Sequence, residues 1–247
     1  ALGELDKYQV QEENASYYLD YGDENWKDSA NHDFQFMVEQ DLAFASYIPY
    51  YFKKWIEQID TNVLPLVSKR IINNTCKILN FNYTDTLERA YKVPAENILY
   101  IHGKALSSKK LVVGHHDIST FQYGAVSPFN AAEEHGIYIQ DDDEDFRITE
   151  TKEIIKAYFQ KTYKDTFGII QMNQNFFDSL ININEIFILG HSLSSVDMDY
   201  FVEIRKRVLH SCKWYISYFS ESDLDNMEYF AKRLDIKNFQ PVMLSNL

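Results

Sequence analysis

The stretch CKILNFNYTDTLERAYKVPAENILYIHG, residues 76–103, decides the fold. Its pattern predicts a strand at Lys77–Phe81, a short helix at Thr84–Tyr91 and a second strand at Ile98–Ile101. Two strands joined by a helix form a βαβ unit, so the strands run parallel and their carboxyl ends share one edge of the sheet. Ligands of open α/β sheets bind along that edge.

Polar residues follow each strand at this predicted edge. The sequence NYTD at 82–85 follows the first strand, and HG at 102–103 ends the second. A third predicted strand, 185–189, ends on GHS at 190–192. We therefore expect three distant segments to bring an amide, an imidazole and a hydroxyl into one common cleft.

Strands and helices alternate through the rest of the chain. Further strands are predicted at 110–114, 213–219 and 239–244, and helices at 149–163, 165–180, 197–210 and 221–235. Ser195 with Asp199, and Ser220 with Asp223, are expected at helix starts. This alternation indicates an α/β protein with a doubly wound, mostly parallel, Rossmann-like sheet.

A helical lobe is predicted ahead of the sheet, at about residues 32–75. Its three helices are expected at 32–47, 49–60 and 64–73, the first of them capped by Asn31. Residues 1–31 show little periodicity and are interpreted as loop, and residues 118–182 as an irregular and helical insertion. The chain, 1–247, is therefore predicted to be a single domain.

Charge and cysteine content exclude several classes of protein. A net charge of −13 argues against a broad nucleic-acid surface, which needs clustered basic residues. A small anionic ligand remains compatible, because backbone N–H groups at helix starts bind phosphate. Cys76 and Cys212 are expected to be free thiols in a reducing cytoplasm. No apolar run approaches the roughly 20 residues of a membrane span.

Metal binding is not expected from the acidic and histidine-rich segments. His115 and His116 are adjacent, so on a strand they point to opposite faces, and Asp117 alone does not complete a site. The acidic run 141–145 lacks the glycine and closing glutamate of an EF-hand, so it is interpreted as a solvated loop.

A serine hydrolase is a third, weaker interpretation of the segment 190–194. Its sequence GHSLS begins like the nucleophile elbow G-x-S-x-G, but Ser194 occupies the place of the second glycine. The downstream histidine that the triad needs would have to be His210, within a predicted helix. A short polar turn that offers N–H groups to a phosphate or ribose explains the segment better.

Structural and functional interpretations compete for the central residues. Asn82 and Asp85 would cap the following helix whether or not they also contact a ligand. A histidine at a strand end is often structural, but His102 precedes Gly103, where a ligand could approach the backbone closely. Because imidazole titrates near neutrality, His102 also suits a general base.

Four motifs together resemble the bacteriophage abortive infection AbiH family. They are FNYTDTLE at 81–88, YIHG at 100–103, VVGHH at 112–116 and LGHSLSSVDMDYF at 189–201. That family is in turn similar to sirtuin-like proteins that bind NAD. The resemblance implies a sirtuin-like fold over the single domain, and NAD or a related nucleotide as ligand or substrate, without a metal.

The resemblance also implies site residues. Asn82 matches the asparagine of the sirtuin pocket and His102 its catalytic histidine, with Asp85 as a further catalytic candidate. The expected cofactor-binding residues are Phe81, Tyr83, Thr84, Gly103, Gly190, His191, Ser192, Leu193 and Asp197.

The sequence also departs from the sirtuin pattern. Thr84 occupies the place of the sirtuin aspartate, and Asp85 comes one residue later. The zinc-binding cysteines of sirtuin deacetylases are missing, which argues against deacylation. Residues 1–31 contain no opening strand with a glycine-rich loop. We expect either that the native reading frame supplies one or that the phosphate site is incomplete.

The expected function is antiphage defence by abortive infection, with binding and hydrolysis of NAD or a related nucleotide. The alternative is a non-catalytic nucleotide-binding sensor or toxin subunit of a defence system. Candidate partners are the small nucleotide, a phage protein that acts as trigger, and further copies of the chain. A cytoplasmic location is expected, with no membrane partner.

Overall fold

The computed structural model describes residues 7–64, 71–116 and 145–244. In chain order the helices are α1 Lys7–Glu13, α2 Asp33–Ser46, α3 Ile48–Ile56, α4 Thr86–Arg89, α5 Phe146–Thr162, α6 Thr166–Met172, α7 Gln174–Asp178, α8 Met198–Arg207 and α9 Ser222–Arg233. The strands are β1 Ile78–Asn80, β2 Ile98–Tyr100, β3 Glu185–Ile188, β4 Lys213–Tyr218 and β5 Phe239–Met243.

The chain divides into two compact units. The first comprises Ala1–Phe52 with Val113–Lys164, and the second Lys53–Val112 with Asp165–Leu247. The single-domain organisation stays a prediction.

The core of the first unit lies between α2 and α5. Phe34 and Val38 are fully buried at a spacing of four residues, so they form one stripe on α2. Ile155 and Phe159 form the matching stripe on α5. Val10 of α1 is buried against the same cluster.

A buried arginine joins the start of α5 to the amino-terminal segment. Asp145 accepts hydrogen bonds from the backbone N–H of Arg147 (2.9 Å) and from its Nη2 (2.6 Å). Nη1 of Arg147 donates to the carbonyl oxygen of Leu19 (2.8 Å), and only 1% of the Arg147 side chain is exposed. Aromatic rings surround the guanidinium at 4.1–5.2 Å from their centroids: Tyr18, Tyr21 and Trp26. We call this group the Arg147 cage.

The second unit contains two small parallel sheets. β1 pairs with β2 in a register that places Asn80 opposite Tyr100. The other sheet has the order β3-β4-β5, and α8 and α9 form its parallel crossovers. Trp214 and Ile216 of β4 are buried in the same core as Phe230 of α9. These parallel sheets with helices confirm a mixed α/β protein, whereas one doubly wound sheet stays a prediction.

Most predicted elements are present with slightly different ends, but the strand predicted at 110–114 is wrong. The backbone N–H of Val112 instead donates to the carbonyl of His102 (2.8 Å). The carbonyl of Val112 accepts a hydrogen bond from the hydroxyl of Tyr83 (2.8 Å). Because the His102 carbonyl and the Tyr83 hydroxyl satisfy the backbone groups of Val112, the described residues 110–114 form no β-ladder. An isolated bridge joins His115 to Tyr163.

Two predictions near the amino terminus are also wrong. Residues 7–13 form α1 rather than loop, and Val10 is buried on this helix. Its mostly polar sequence gave no helical pattern of apolar residues. Asn31 does not cap α2, because it ends a 3₁₀ turn at 28–31. Its side-chain amide instead donates to the backbone carbonyl of Asp28 (3.2 Å).

Other helix starts differ from the prediction too. The helix predicted at 165–180 breaks at Asn173 into α6 and α7. The cap expected from Ser195 is supplied by Ser194, whose hydroxyl accepts from the N–H of Val196 (3.5 Å). Asp223 does act at the start of α9, because its carboxylate accepts from the N–H of Ser220 (3.0 Å).

Some predictions lie outside the described residues. These are the role of Asp117, most of the acidic run 141–145, the first part of the insertion at 118–182, and the middle of the helix expected at 64–73. Among the residues described, no helix is long and apolar enough to cross a membrane. The same residues contain no group of three side chains that could hold a metal ion.

Candidate functional site

The turn after β1 is shaped by an asparagine side chain. Oδ1 of Asn80 accepts a hydrogen bond from the backbone N–H of Asn82 (3.0 Å), which forms an Asx turn at the strand end. The hydroxyl of Thr84 shares a hydrogen bond with that of Thr86 at 3.0 Å. Asn82 is exposed, so its amide lies at the protein surface.

Asp85 is buried where α4 begins. Its carboxylate accepts hydrogen bonds from the hydroxyl of Thr61 (2.7 Å) and from Nε of Arg89 (2.7 Å). Burial by itself would raise the pKa of Asp85, but the hydrogen bonds from Thr61 and Arg89 outweigh it and lower that pKa. Asp85 therefore holds α4 to the segment around Thr61.

Replacing Asp85 by asparagine is expected to lower the free energy of unfolding by about 1–2 kcal/mol at neutral pH, because the amide loses the charge that Arg89 neutralises. Since the folded-state pKa of Asp85 is lowered, the carboxylate stabilises the fold above its unfolded pKa of about 3.9. That stability is lost as the pH falls through the folded-state value.

Urea unfolding of wild type and Asp85→Asn at a series of pH values checks this expectation. The difference between them should shrink as the solution becomes more acidic than about pH 4. Asp225→Asn, at an exposed position in the first turn of α9, is the matched control and should change stability by no more than about 0.5 kcal/mol. A pH-independent difference for Asp85→Asn would contradict the linkage.

His102 is buried in a tight turn that follows β2. It is 5% exposed, and its carbonyl accepts a hydrogen bond from the N–H of Val112 (2.8 Å). Gly103 has φ +88°, and a Cβ there would lie 3.1 Å from the carbonyl oxygen of Lys110. The turn therefore requires glycine after the histidine, for conformation and for space.

The turn after β3 contains two residues in the left-handed region, Gly190 at φ +62° and Leu193 at φ +56°. The N–H of Gly190 donates to the hydroxyl of Ser217 in β4 (2.8 Å). The N–H of Leu193 donates to Nδ1 of His191 (2.8 Å). Both bonds hold the turn in a conformation that leucine rarely adopts.

Asp197 lies between two imidazoles. Its Oδ1 is 3.3 Å from Nε2 of His102, and its Oδ2 is 3.4 Å from Nε2 of His191. The exposed side-chain fractions are 6% for His102, 10% for His191 and 16% for Asp197. Among the described residues, Nε2 of His102 has no partner in hydrogen-bond geometry despite the short distance to Asp197. We call these three residues the His–Asp–His cluster.

Aromatic rings pack around the His–Asp–His cluster. The ring of Phe81 lies edge-on to both imidazoles, at centroid distances of 5.5 Å to His102 and 4.5 Å to His191. Phe81 also stacks on Phe201 of α8 at 5.5 Å, and the ring of Tyr200 lies 5.8 Å from His102. Electrostatic interactions are stronger in such an apolar environment than in water.

Tyr83 contributes a neutral hydroxyl beside the cluster. Its ring centroid lies 6.0 Å from that of His102, and its hydroxyl donates to the carbonyl of Val112. Burial, together with the negative charge of Asp197, raises the pKa of Tyr83 to about 12. Tyr83 therefore remains protonated at neutral pH and acts as a hydrogen-bond donor.

The structure brings some of the predicted site residues together and leaves others apart. Those in mutual contact are Phe81, Tyr83, His102, His191 and Asp197. Asn82 and Ser192 are exposed, and in the described chain no hydrogen bond, ion pair or ring contact joins either of them to His102. The amide and the hydroxyl therefore lie at the surface, whereas the imidazole is buried.

Sequence reasoning missed three residues that shape the site: Ser217, Tyr200 and Phe201. Ser217 interrupts the apolar pattern of β4 and is 7% exposed, and a polar residue in such a strand was a usable signal. Tyr200 and Phe201 are adjacent buried residues on α8. Their sequence alone did not indicate which of the two rings would face the imidazoles.

The structure gives little support to a serine hydrolase. Ser194 accepts a capping hydrogen bond, and His210 lies beside Arg205. Within the described chain, no hydrogen bond links Ser192 to a histidine. The nucleophile–base contact that acyl transfer needs is therefore not formed.

Fold and site together define a mixed α/β protein with a buried His–Asp–His cluster at the carboxyl ends of parallel strands. The family model described as Bacteriophage abortive infection AbiH matches residues 1–218. The chain belongs to the AbiH family, as its motifs predicted. No curated protein and no solved structure matches the chain.

Proposed function

We propose that this AbiH protein defends against bacteriophage by binding NAD or a related nucleotide beside the His–Asp–His cluster and hydrolysing it. The observation that carries the proposal is the contact of Asp197 with His102, which follows β2 at the carboxyl end of a parallel strand. A carboxylate against an imidazole is the arrangement that orients a general base. The proposed relation to sirtuin-like proteins, with a doubly wound sheet, rests on the motifs alone.

The proposed reaction cleaves the bond between nicotinamide and ribose. The electron pair of that bond leaves with nicotinamide, and the ribose carbon gains oxocarbenium character. The oxygen of a water molecule bonds to this carbon while the water gives a proton to His102. Asp197 stabilises the positive charge that His102 acquires. The products are nicotinamide and ADP-ribose.

Other residues bind or orient in this proposal. The exposed amide of Asn82 orients the water or a ribose hydroxyl at the mouth of the site. The backbone N–H groups of His191 and Ser192 and the exposed hydroxyl of Ser192 contact a phosphate or ribose. Phe81 packs against the imidazoles and keeps the proton-accepting group in an apolar environment.

Replacing His102 by alanine is expected to slow NAD hydrolysis by about 10²–10⁴-fold, the usual contribution of a general base. Purified natural full-length protein is incubated with NAD, and nicotinamide is measured by chromatography. The matched control is His210→Ala, because His210 is exposed and contacts Arg205. Equal turnover by wild type and His102→Ala would remove His102 from the mechanism.

An assay in infected cells tests whether NAD hydrolysis depends on a phage trigger. Cells that express wild type or His102→Ala are infected, and cellular NAD is followed over time. NAD should fall only in the wild-type culture. If the protein still blocks phage propagation while NAD stays constant, the nucleotide-hydrolysis proposal is wrong and the defence function stands without it.

The second candidate is a nucleotide-binding sensor or toxin subunit without catalysis. The burial of His102, with 5% of its surface exposed, favours this alternative, because substrate reaches a sealed base only after the site opens. Titration calorimetry with NAD and ADP-ribose distinguishes the two. Binding without turnover, in both the purified and the infected-cell assays, would select the sensor.

A further inference from the structure

We infer that Asp197 is a positioning residue that serves its two imidazoles in different ways: it accepts the Nε2–H of His191, and by facing Nε2–H of His102 it leaves Nδ1 of His102 as the proton acceptor. The tautomers follow from the contacts of Asp197, His191 and Leu193. Only the consequence for catalysis rests on the proposed function.

His191 is fixed as the Nε2–H tautomer by a backbone donor. The N–H of Leu193 donates to Nδ1 at 2.8 Å, so Nδ1 presents its lone pair and carries no hydrogen. The proton of the neutral ring therefore lies on Nε2, which is 3.4 Å from Oδ2 of Asp197. His191 consequently uses one oxygen of the carboxylate as its acceptor.

The conformation of the turn keeps His191 in this state. A second proton on Nδ1 would face the N–H of Leu193, and the hydrogen bond between them would be lost. That bond holds Leu193 at φ +56°, a left-handed conformation that is strained for a non-glycine residue. The Nε2–H tautomer of His191 and the strained turn therefore support each other.

His102 lies against the other oxygen of Asp197. Nε2 of His102 is 3.3 Å from Oδ1, close enough for a hydrogen bond once the two groups align. Catalytic hydrogen bonds are often poorly aligned before substrate binds and tighten in the complex. With its proton on Nε2 facing the carboxylate, His102 has its lone pair on Nδ1, and Nδ1 is the base.

Among the described residues that contact the His102 ring, Asp197 supplies the charge. Tyr83 and Tyr200 both contact the imidazole, and burial raises the pKa of each, so both are neutral at neutral pH. Phe81 adds an apolar ring. A proton accepted by His102 is therefore stabilised chiefly by the Asp197 carboxylate.

An asparagine at position 197 would separate the two roles. A carboxylate offers two acceptor oxygens and can serve both Nε2–H groups, whereas an amide offers one acceptor and one donor. Because Leu193 fixes the tautomer of His191, His191 keeps the remaining acceptor. His102 must then face the amide N–H with an unprotonated Nε2, so its proton moves to Nδ1 and the base is lost.

The test reads the tautomers directly in the free protein. Long-range proton–nitrogen NMR spectra are recorded with ¹⁵N-labelled histidine on wild type, Asp197→Asn and the exposed control Asp225→Asn. Signals are assigned with His102→Gln and His191→Gln. In wild type both rings should be Nε2–H tautomers. In Asp197→Asn, His102 should become the Nδ1–H tautomer while His191 is unchanged, and Asp225→Asn should match wild type.

Two spectral results would overturn the inference. One is a wild-type His191 protonated on Nδ1, a measurement that does not depend on any variant folding correctly. The other is a tautomer of His102 that is the same in wild type and in a folded Asp197→Asn protein.

NAD turnover gives an independent readout. Asp197→Asn should lower kcat by about 100-fold or more, with KM little changed, because the base is altered and binding contacts are not. If wild type does not hydrolyse NAD, the proposed function fails while the tautomer assignment still stands. If wild type is active, a loss confined to KM would overturn the positioning role.

Discussion

Replacing Arg147 by methionine is expected to destabilise the protein by about 3 kcal/mol. The guanidinium is 1% exposed, and its removal leaves the Asp145 carboxylate without its partner. Hydrogen bonds from Arg147 hold the pKa of Asp145 below its usual value. Broken buried pairs cost about 3–5 kcal/mol, and the partial exposure of Asp145, 16%, places this variant at the lower end.

Lysine at the same position should have an intermediate effect of about 1–2 kcal/mol. Lysine keeps the positive charge inside the Arg147 cage. Its single ammonium group lacks the planar set of donors with which arginine binds both Asp145 and the carbonyl of Leu19. Arg233→Met, on the exposed surface of α9, is the matched control and should change stability by less than about 0.5 kcal/mol.

Urea unfolding followed by near-ultraviolet circular dichroism measures these differences, because Trp26 lies against the guanidinium and reports the cage directly. Equal stability of Arg147→Met and Arg233→Met would show that the buried ion pair contributes nothing.

Gly114→Ala is expected to cost about 3 kcal/mol or more for a different reason, steric overlap. A Cβ at position 114 would overlap the carbonyl oxygen of Thr162 and lie 3.5 Å from the backbone nitrogen of Lys164. The chain is held close there by the N–H of His115, which donates to Thr162 (3.2 Å), and by the N–H of Lys164, which donates to His115 (2.7 Å). The backbone would have to move, and this pairing would break.

Two other glycines provide matched controls for Gly114→Ala. A Cβ at Gly22 would meet nothing within 4 Å, so Gly22→Ala should leave stability nearly unchanged. A Cβ at Gly168 would overlap the carboxylate of Asp165, a side chain that can rotate away at the cost of its helix cap, about 1 kcal/mol. Thermal unfolding should therefore rank the variants in the order 22, 168, 114. Any order in which Gly114→Ala is the mildest would contradict the steric explanation.

Periodicity and strand patterning predicted the elements that make many local contacts. The helices α2, α5, α8 and α9 and the strand β4 all lie where the sequence placed them, because each buries apolar residues of its own. β5 also lies where it was predicted, although only its partly buried Phe239 packs against the core. The strand predicted at 110–114 failed because Val112 satisfies its backbone through the His102 carbonyl and the Tyr83 hydroxyl. Hydrogen bonds to residues this far away in the chain produce no recognisable pattern in the sequence around Val112.

The candidate site was predictable only in part. The succession of strand ends indicated that residues after β1, β2 and β3 would approach one another, and Phe81, His102 and His191 do. The prediction of a shared amide, imidazole and hydroxyl did not anticipate that Asp197 would lie between two histidines. The turn that leads to Asp197 also contains Leu193 in the left-handed conformation, which a leucine in the sequence does not indicate.

The hydrogen bond from Gly190 to the hydroxyl of Ser217 has a practical consequence for protein engineering. The turn after β3 takes its position from a neighbouring strand, so residues 189–197 are not a self-contained module. Transplanted onto another scaffold, the segment would need a serine at the equivalent site of the adjoining strand. A graft that omitted it would carry both the histidine and the aspartate and still lose their alignment.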